Sequence, residues 1–422
     1  MAITITTSPP ASPHVLIPAV VKMKLAEVAG PDGNLPYAQI GALGVLDSLL
    51  SDANVAGLQE IGGFQYRPAG PERPREVEVV YPHRVSRANV GTNASPCAPQ
   101  TCNTFTSSKM VFTIDRTRSV CGTLPRAFMN RLVNPYEDRE GNQPTVSETI
   151  ARLSAPDMGG MFAGYLMDNI RALREVVNQD VASQLAVLAP TFVPAGPTPP
   201  PVPIQIPFTN TFGNKVHPAA LAQMGEFIDD LGLTDPILLY GKGSLYKALW
   251  LLKQGYRTAN LDGINLVELQ QAMGGMANIG RLTPFFDREL YNGTGFTAGD
   301  FIVWQKGAIQ LLYYSEYDAG AVGLPTMGGY STNGTTFRFS MPDPKYGERF
   351  KYDVEVNFDP CVQDAESGLF GTWRVWVRAN YGIWVYPSNI WPSDHPLYQT
   401  RRALYFRAIA DDECVQVCEN EP

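Results

Sequence analysis

The sequence predicts an α+β protein. Three observations carry this: one long helical stripe near the middle, period-two strands concentrated at the C-terminal end, and a loop-rich composition with 38 glycines and 35 prolines. The stripe comprises Phe162, Leu166, Ile170, Leu173, Val177, Val181, Leu185 and Leu188, spaced three or four apart. That spacing is one face of an α-helix. Asp168, Arg171, Arg174, Glu175, Asn178, Asp180 and Gln184 fall mostly off it. Thr145-Val-Ser-Glu148 has the form of a capping box, and Pro156-Asp157 marks a restart. About thirty residues at ~1.5 Å each make a rod of roughly 45 Å. It ends against a proline-rich strap, 190–207.

N-terminal to the rod, residues 1–35 read as an arm, because Pro9, Pro10, Pro13 and Pro18 oppose a helix there. Residues 37–50 read as a short helix. Two alternating segments follow, 75–90 and 106–119, joined by a polar loop with Cys97 and Cys102. They predict a projecting hairpin, which alone is marginal and must lie on something. Beyond the strap come a helix at 217–231, a strand at 236–240, a Gly241-Lys-Gly243 turn, and a helix from Leu245 to Lys253 with Ser244 as its cap. A further helix at 262–273 and strands at 301–304 and 309–313 complete one α/β lobe, about 208–320. The alternation at 337–341, 352–358 and 373–377 predicts an antiparallel sheet with one apolar face. Its expected partner is the stripe of the rod. Asn292-Gly293 and Asn333-Gly334 are turn signals, and the tail from Asp411 is acidic.

The net charge of −8 is uneven. Residues 67–140 hold eleven Lys/Arg against seven Asp/Glu. A basic projection and an acidic body favour encounter and register between copies. The candidate inter-subunit contacts are Arg75, Arg84, Arg87, Lys109, Arg116 and Arg118. No Lys/Arg run marks a duplex-binding patch. Met1–Ser8 lacks the features of a signal peptide, no stretch is apolar enough to span a membrane, and cytosolic synthesis is expected.

Chemistry is sparse. There is no Gly-x-Ser-x-Gly elbow and no His-Glu-x-x-His, and Gly241-Lys-Gly-Ser244 lacks the Gly-Lys-Ser/Thr order of a phosphate loop. His14, His83, His217 and His395 are scattered, each beside a proline. Cys97 with Cys102, and Cys414 with Cys418, are open to three readings: metal ligands, disulfides formed outside the cell, or plain thiols. Trp373, Trp376, Tyr381, Trp384, Tyr386 and Trp391 crowd together, which opens a carbohydrate-binding alternative, although their alternation points to a core.

Taken in order, arm, hairpin, rod, α/β lobe and returning sheet resemble the major capsid protein family of tailed phages, the Hong Kong 97-type fold. The passages Ile237–Gly255, Gly299–Trp304, Ala308–Leu312 and Val375–Gly382 are similar to segments of that family. The resemblance implies an N-terminal arm and short helix (1–60), an extended-loop hairpin (61–125), and a peripheral domain with a spine helix and strap (126–207). It further implies an axial domain (208–325), return strands (326–410) and the acidic tail (411–422). It implies a structural subunit without enzymatic activity or cofactor. Such subunits self-assemble through hexamers and pentamers into an icosahedral shell around double-stranded DNA. A portal, and scaffold or decoration proteins, would be partners. The location would be the virion, assembled in host cytoplasm. No scaffold-like acidic N-terminal domain is evident, and no Lys–Asn crosslink is carried over. The alternatives are a tail-associated adhesin or a cellular encapsulin-like shell.

Overall fold

A computed structural model describes residues 43–50, 64–66, 75–83, 106–124, 159–192, 201–209, 218–253, 282–317, 330–331, 336–363, 368, 370–388, 390–393 and 400–410. The arm, the start of the 37–50 helix, the Cys97/Cys102 loop and the capping box at 145–148 lie outside these residues. So do the middle of the strap (193–200), the 262–273 helix, the Asn333-Gly334 turn and the acidic tail.

The chain is α+β. Its first described helix is α1, Gly44–Leu50. The rod is α2, Gly159–Leu188, thirty residues long. Leu166, Ile170, Val177, Val181 and Leu185 are fully buried and Leu173 nearly so. A single 3-10 turn, Ala189–Thr191, then ends the helix at Pro190.

The stripe faces a six-stranded sheet. Its strands are β4 (Arg116–Leu124), β9 (Ile309–Tyr314), β10 (Tyr330–Ser331), β11 (Thr336–Asp343), β12 (Gly347–Gln363) and β13 (Phe370–Val385). The order is β10-β11-β12-β13-β4, with β9 also on β13. Asn380 and Tyr381 are paired to β4 and to β9 at once, so β9 continues the side occupied by β12. One cross-strand row is Phe339, Val354, Val377, Val120; the adjacent row is Arg338, Glu355, Trp376, Cys121. The first row lies against the core and the second faces away, as period-two patterning requires.

Strands β1 (Phe64–Tyr66), β2 (Glu76–Pro82) and β3 (Ser107–Thr113) make a small antiparallel sheet. Val77 and Val79 on β2 are fully buried. Phe112 of β3 lies over Gly382 of β13, where a Cβ would stand 2.8 Å from its ring. The base of the hairpin is therefore seated on the larger sheet.

The third sheet comprises β5 (Ile204–Thr209), β6 (Pro236–Tyr240), β7 (Thr283–Phe286), β8 (Asp300–Gln305) and β14 (Ala403–Ala410), ordered β5-β14-β8-β6-β7. Helices α3 (Pro218–Asp230) and α4 (Ser244–Lys253) cover one face. Ile206, Phe208, Met224, Ile228, Leu245, Phe301 and Phe406 make a core of their own there. Ile302, Trp304 and Tyr405, on the other face, join the central core.

Four expectations are corrected. The expected strand 106–119 is two strands. Thr113 has the last partner on β2, Ile114 donates to the Arg75 carbonyl at 2.8 Å, and the chain crosses to β13. Arg116 and Arg118 therefore leave the hairpin. Strand β9 lies outside the α/β lobe, because β8 already has β14 and β6 on its two edges, and Gly307 (φ +86°) turns the chain away. The end of the strap is strand β5, an edge position that tolerates Pro207. Gly243, whose carbonyl accepts from Lys247 N at 3.0 Å, caps α4, and Ser244 is the first helical residue.

Candidate assembly surfaces

The sequence places basic residues along the hairpin, and the structure separates them. Arg75 forms an ion pair with Glu316, and its guanidinium lies 4.8 Å from the Tyr314 ring centroid. Burial lowers its pKa against the nearby Asp353 charge. Lys109 is largely exposed and its Nζ is 2.8 Å from Glu78. Arg118 holds Asp180 of α2 through two donated bonds, Nη2 to Oδ1 at 2.9 Å and Nε to Oδ2. Tyr381 OH donates to the same carboxylate at 2.8 Å. Burial works to raise the Asp180 pKa, but these bonds and the Arg118 charge outweigh it and hold it below the usual range. Arg116 is exposed on the same strand. Arg84 and Arg87 lie outside the described residues.

Two buried carboxylates organise the six-stranded sheet, one of them by tying it to α2. Asp343 accepts from Arg174 (Nε at 2.7 Å, and Nη2), from Tyr352 OH at 2.7 Å, and from the amides of Lys345 and Tyr346 at 2.8 and 3.0 Å. Arg174 projects from α2, so this cluster joins rod to sheet. Asp353 accepts from Ser315 Oγ at 2.5 Å, Glu316 N at 3.0 Å, Tyr317 N at 3.2 Å and Asn380 Nδ2 at 2.9 Å. Burial nonetheless pushes it up to about 6.

Sequence reasoning missed α1 as a junction. Val45 N donates to Asp287 at 3.0 Å and Leu46 N to Asn178 at 3.1 Å, so side chains from β7's end and from α2 satisfy its first amides. Asp47 accepts from Lys345 Nζ at 2.5 Å and Tyr346 OH at 2.6 Å. A Cβ at Gly44 would stand 2.3 Å from the Phe286 carbonyl oxygen. The lack of a side chain at Gly44 is what allows this approach.

The outward face of the six-stranded sheet is charged. Arg338 Nε is 3.0 Å from Glu355, Arg374 Nη2 is 2.9 Å from Asp359, and Arg378 lies 5.7 Å from the Trp376 ring centroid. Cys121 sits beside them as an exposed free thiol, raised by burial against the two arginine charges. Cys361 is also free and exposed. Cys97, Cys102, Cys414 and Cys418 lie outside the described residues. Among the described residues, no group of three or more His, Cys, Asp or Glu is placed to hold a metal. No described helix is long and apolar enough to cross a membrane. Most of the aromatic cluster is core: Tyr381, Trp384 and Tyr386 are fully buried and Trp373 nearly so, Trp391 is half-buried against them, and Trp376 is half-buried on the polar face. Gly241 N donates to Tyr291 OH at 3.3 Å, and Gly243 abuts Gly299, so the glycine turn is occupied by protein.

No family model matches the sequence, and no curated protein matches it. The solved structures that match include phage capsids. The chain is similar to a subunit of the cyanophage A-1(L) capsid asymmetric unit at 12% identity, covering 89% of this chain and 95% of that one, with a TM-score of 0.40. For the cyanophage P-SCSP1u capsid the identity is 13%, the coverage 82% and 86%, and the TM-score 0.37. For a virus-like particle from Pyrococcus furiosus they are 8%, 73% and 82%, and 0.29.

Proposed function

We propose that this chain is a structural subunit of the Hong Kong 97 type, self-assembling through hexamers and pentamers into the icosahedral shell of a tailed bacteriophage around double-stranded DNA. The single observation that supports this best is the α2 junction. A thirty-residue helix is seated on one sheet, with a hairpin base on that sheet's far end and a separately cored α/β unit beside it. In this reading α2 is the spine helix, the segment that ends with β3 is the extended loop, and the unit of β5, β6, β7, β8, β14, α3 and α4 is the axial domain. Arg84, Arg87, Lys109 and Arg116 meet acidic surface on a neighbouring copy. Arg75 and Arg118 hold the loop's base and the adjoining strand to their own subunit. A shell needs heterologous contacts that close, and an overlapping hairpin is one. The partners are other copies, a portal, and scaffold or decoration proteins. The reading assigns no catalytic role, and it places the chain in the virion after assembly in host cytoplasm.

Negative-stain electron microscopy of the purified chain tests it. Closed particles or rings are expected, and a strictly monomeric species at high concentration overturns the reading. Charge reversal at Arg84 and Arg87 is expected to abolish particles while leaving far-UV circular dichroism and the melting temperature unchanged. Particles that still form would remove the hairpin contact. A cellular encapsulating shell is separated from a virion by the nucleic acid content of particles from the native source.

A further inference from the structure

Among the described residues, 107–124 hold the outermost position in two sheets in succession. Strand β3 ends the order β1-β2-β3, and β4 ends the six-stranded order. Six of the nine β4 residues are exposed: Arg116, Thr117, Arg118, Ser119, Cys121 and Thr123. An exposed edge strand offers a row of main-chain donors and acceptors to another chain. The strand carries two arginines and no acid.

The last described strand ends at Ala410. The sequence beyond it, Asp411-Asp-Glu-Cys-Val-Gln-Val-Cys-Glu-Asn-Glu-Pro422, has five acids and no Lys or Arg. Val415 and Val417 alternate with Cys414, Gln416 and Cys418, the period of a strand. The two alternations fit. On β4, Arg116, Arg118 and Val120 share the face turned to α2, and Thr117, Ser119 and Cys121 share the other. An antiparallel register with Val417 opposite Val120 puts Glu419 opposite Arg118, Glu421 opposite Arg116 and Gln416 opposite Cys121.

We propose that the C-terminal segment 411–422 of a second copy adds as a strand to the outer edge of β4, using backbone pairing for affinity and the exposed Arg116 for register. A second copy is the occupant because β4 belongs to the six-stranded sheet, whereas β14, from which the segment departs, belongs to the β5-β14-β8-β6-β7 sheet and packs on β5, β8, α4 and the turn that ends α2. A single added strand is a small interface, so it supplements larger contacts between copies. The proposal rests on the shell reading only in taking the neighbour to be another copy of this chain.

The test uses the full chain and the native Cys121 thiol. In a Cys414→Ser/Cys418→Ser background, Gln416→Cys is compared with Val417→Cys. Diamide is the oxidant; it takes up two electrons and two protons as two thiols become one disulfide. Directly opposed residues have Cα atoms ~4.5–5.5 Å apart, within disulfide reach. Non-reducing electrophoresis and mass spectrometry should show an interchain bond between Cys121 and the new thiol at position 416, and none at 417. Arg116→Glu should slow its formation by roughly fivefold, the equivalent of ~1 kcal/mol, and about 0.5 M salt should slow it too. A bond within one chain, equal yields at 416 and 417, or no bond overturns the proposal. A second measurement needs no substitution in the fold: β4 amides should exchange faster in a chain ending at Ala410 than in the full chain, and equal exchange overturns the proposal. Particles without the bond sink the edge contact alone; the bond without particles sinks the shell alone.

Discussion

Two buried aspartates, Asp343 and Asp300, are built alike and do different work. Asp300 is fully buried and accepts from Arg407 (2.6 Å), Tyr405 OH (2.7 Å), and the amide and hydroxyl of Thr297 (2.7 and 2.8 Å). Its partners come from β14 and from its own turn, so it fastens neighbours within one sheet. Asp343 takes its arginine from α2, 169 residues away in sequence, and so fastens two layers together. The comparison teaches that similar carboxylate clusters have local or global reach according to where the arginine originates. Loss of the first should loosen one sheet. Loss of the second should separate rod from sheet.

Arg174→Met is the largest test. It leaves Asp343 buried without its cation, which costs about 3–5 kcal/mol, because both side chains are almost wholly buried. Burial opposes the arginine's charge, yet Asp343 outweighs it and raises its pKa, so Arg174 stays a cation in the native protein. Urea unfolding reads the loss. Hydrogen exchange should show protection lost in α2, β11 and β12 and retained in β8 and β14. Uniform loss would break the contrast with Asp300.

Much of this architecture was legible in the sequence. The α2 stripe and the period-two rows of β11, β12 and β13 are set by burial, and burial writes itself into spacing. The strand at 236–240 was bounded by its proline and glycine. What was not legible depends on pairing between distant segments. Nothing local in Lys109–Ser119 says that the chain changes sheets at Ile114, since both halves alternate equally well. Nothing local separates β9 from β8 either; that follows from β8 having both edges filled. Strand β5 hid behind its prolines. The candidate contacts suffered most: Arg75, Lys109 and Arg118 look alike as charges along a sequence, and only tertiary partners set them apart.

Asp353 sharpens the comparison from the other side, since it belongs to the same sheet as Asp343 but has no buried arginine bound to it. Arg75, Arg378, Tyr314 and Tyr317 surround it, with Glu316 beside it. Its native value of about 6 lies above the unfolded value of ~3.9, so the folded state binds the extra proton. The contribution is fully present below about pH 4 and is lost as pH rises through about 6. Stability should fall by about 2–3 kcal/mol across that window, and Asp353→Asn should flatten the fall. Parallel curves for the two proteins would remove Asp353 as its source.

Asp300 should show the opposite slope. Burial works to raise it, but Arg407, Tyr405 and Thr297 hold it below the usual range. Its contribution is therefore present above the unfolded value and lost as pH falls through the lower native one. Asp300→Asn should cost about 2 kcal/mol near neutrality, and the difference from wild type should shrink below about pH 4. Exchange should quicken in β8 and β14 while α2 keeps its protection. If α2 loosens as well, Asp300 has the same reach as Asp343.

The smallest effect isolates geometry from burial. Arg118 and Asp180 also join sheet to rod, through a bidentate contact like that of Arg174 and Asp343, but the arginine is about half exposed (47%). Solvent screens such a pair, so Arg118→Gln should cost about 1 kcal/mol or less, and the cost should shrink further as salt rises. The contact joins the same two layers as the Arg174 cluster, so connectivity alone would predict equal costs. Double-mutant cycles on the two pairs in low and high salt decide the matter: a coupling at Arg118–Asp180 as large and as salt-resistant as that at Arg174–Asp343 would mean that location between layers, and not burial, sets the strength.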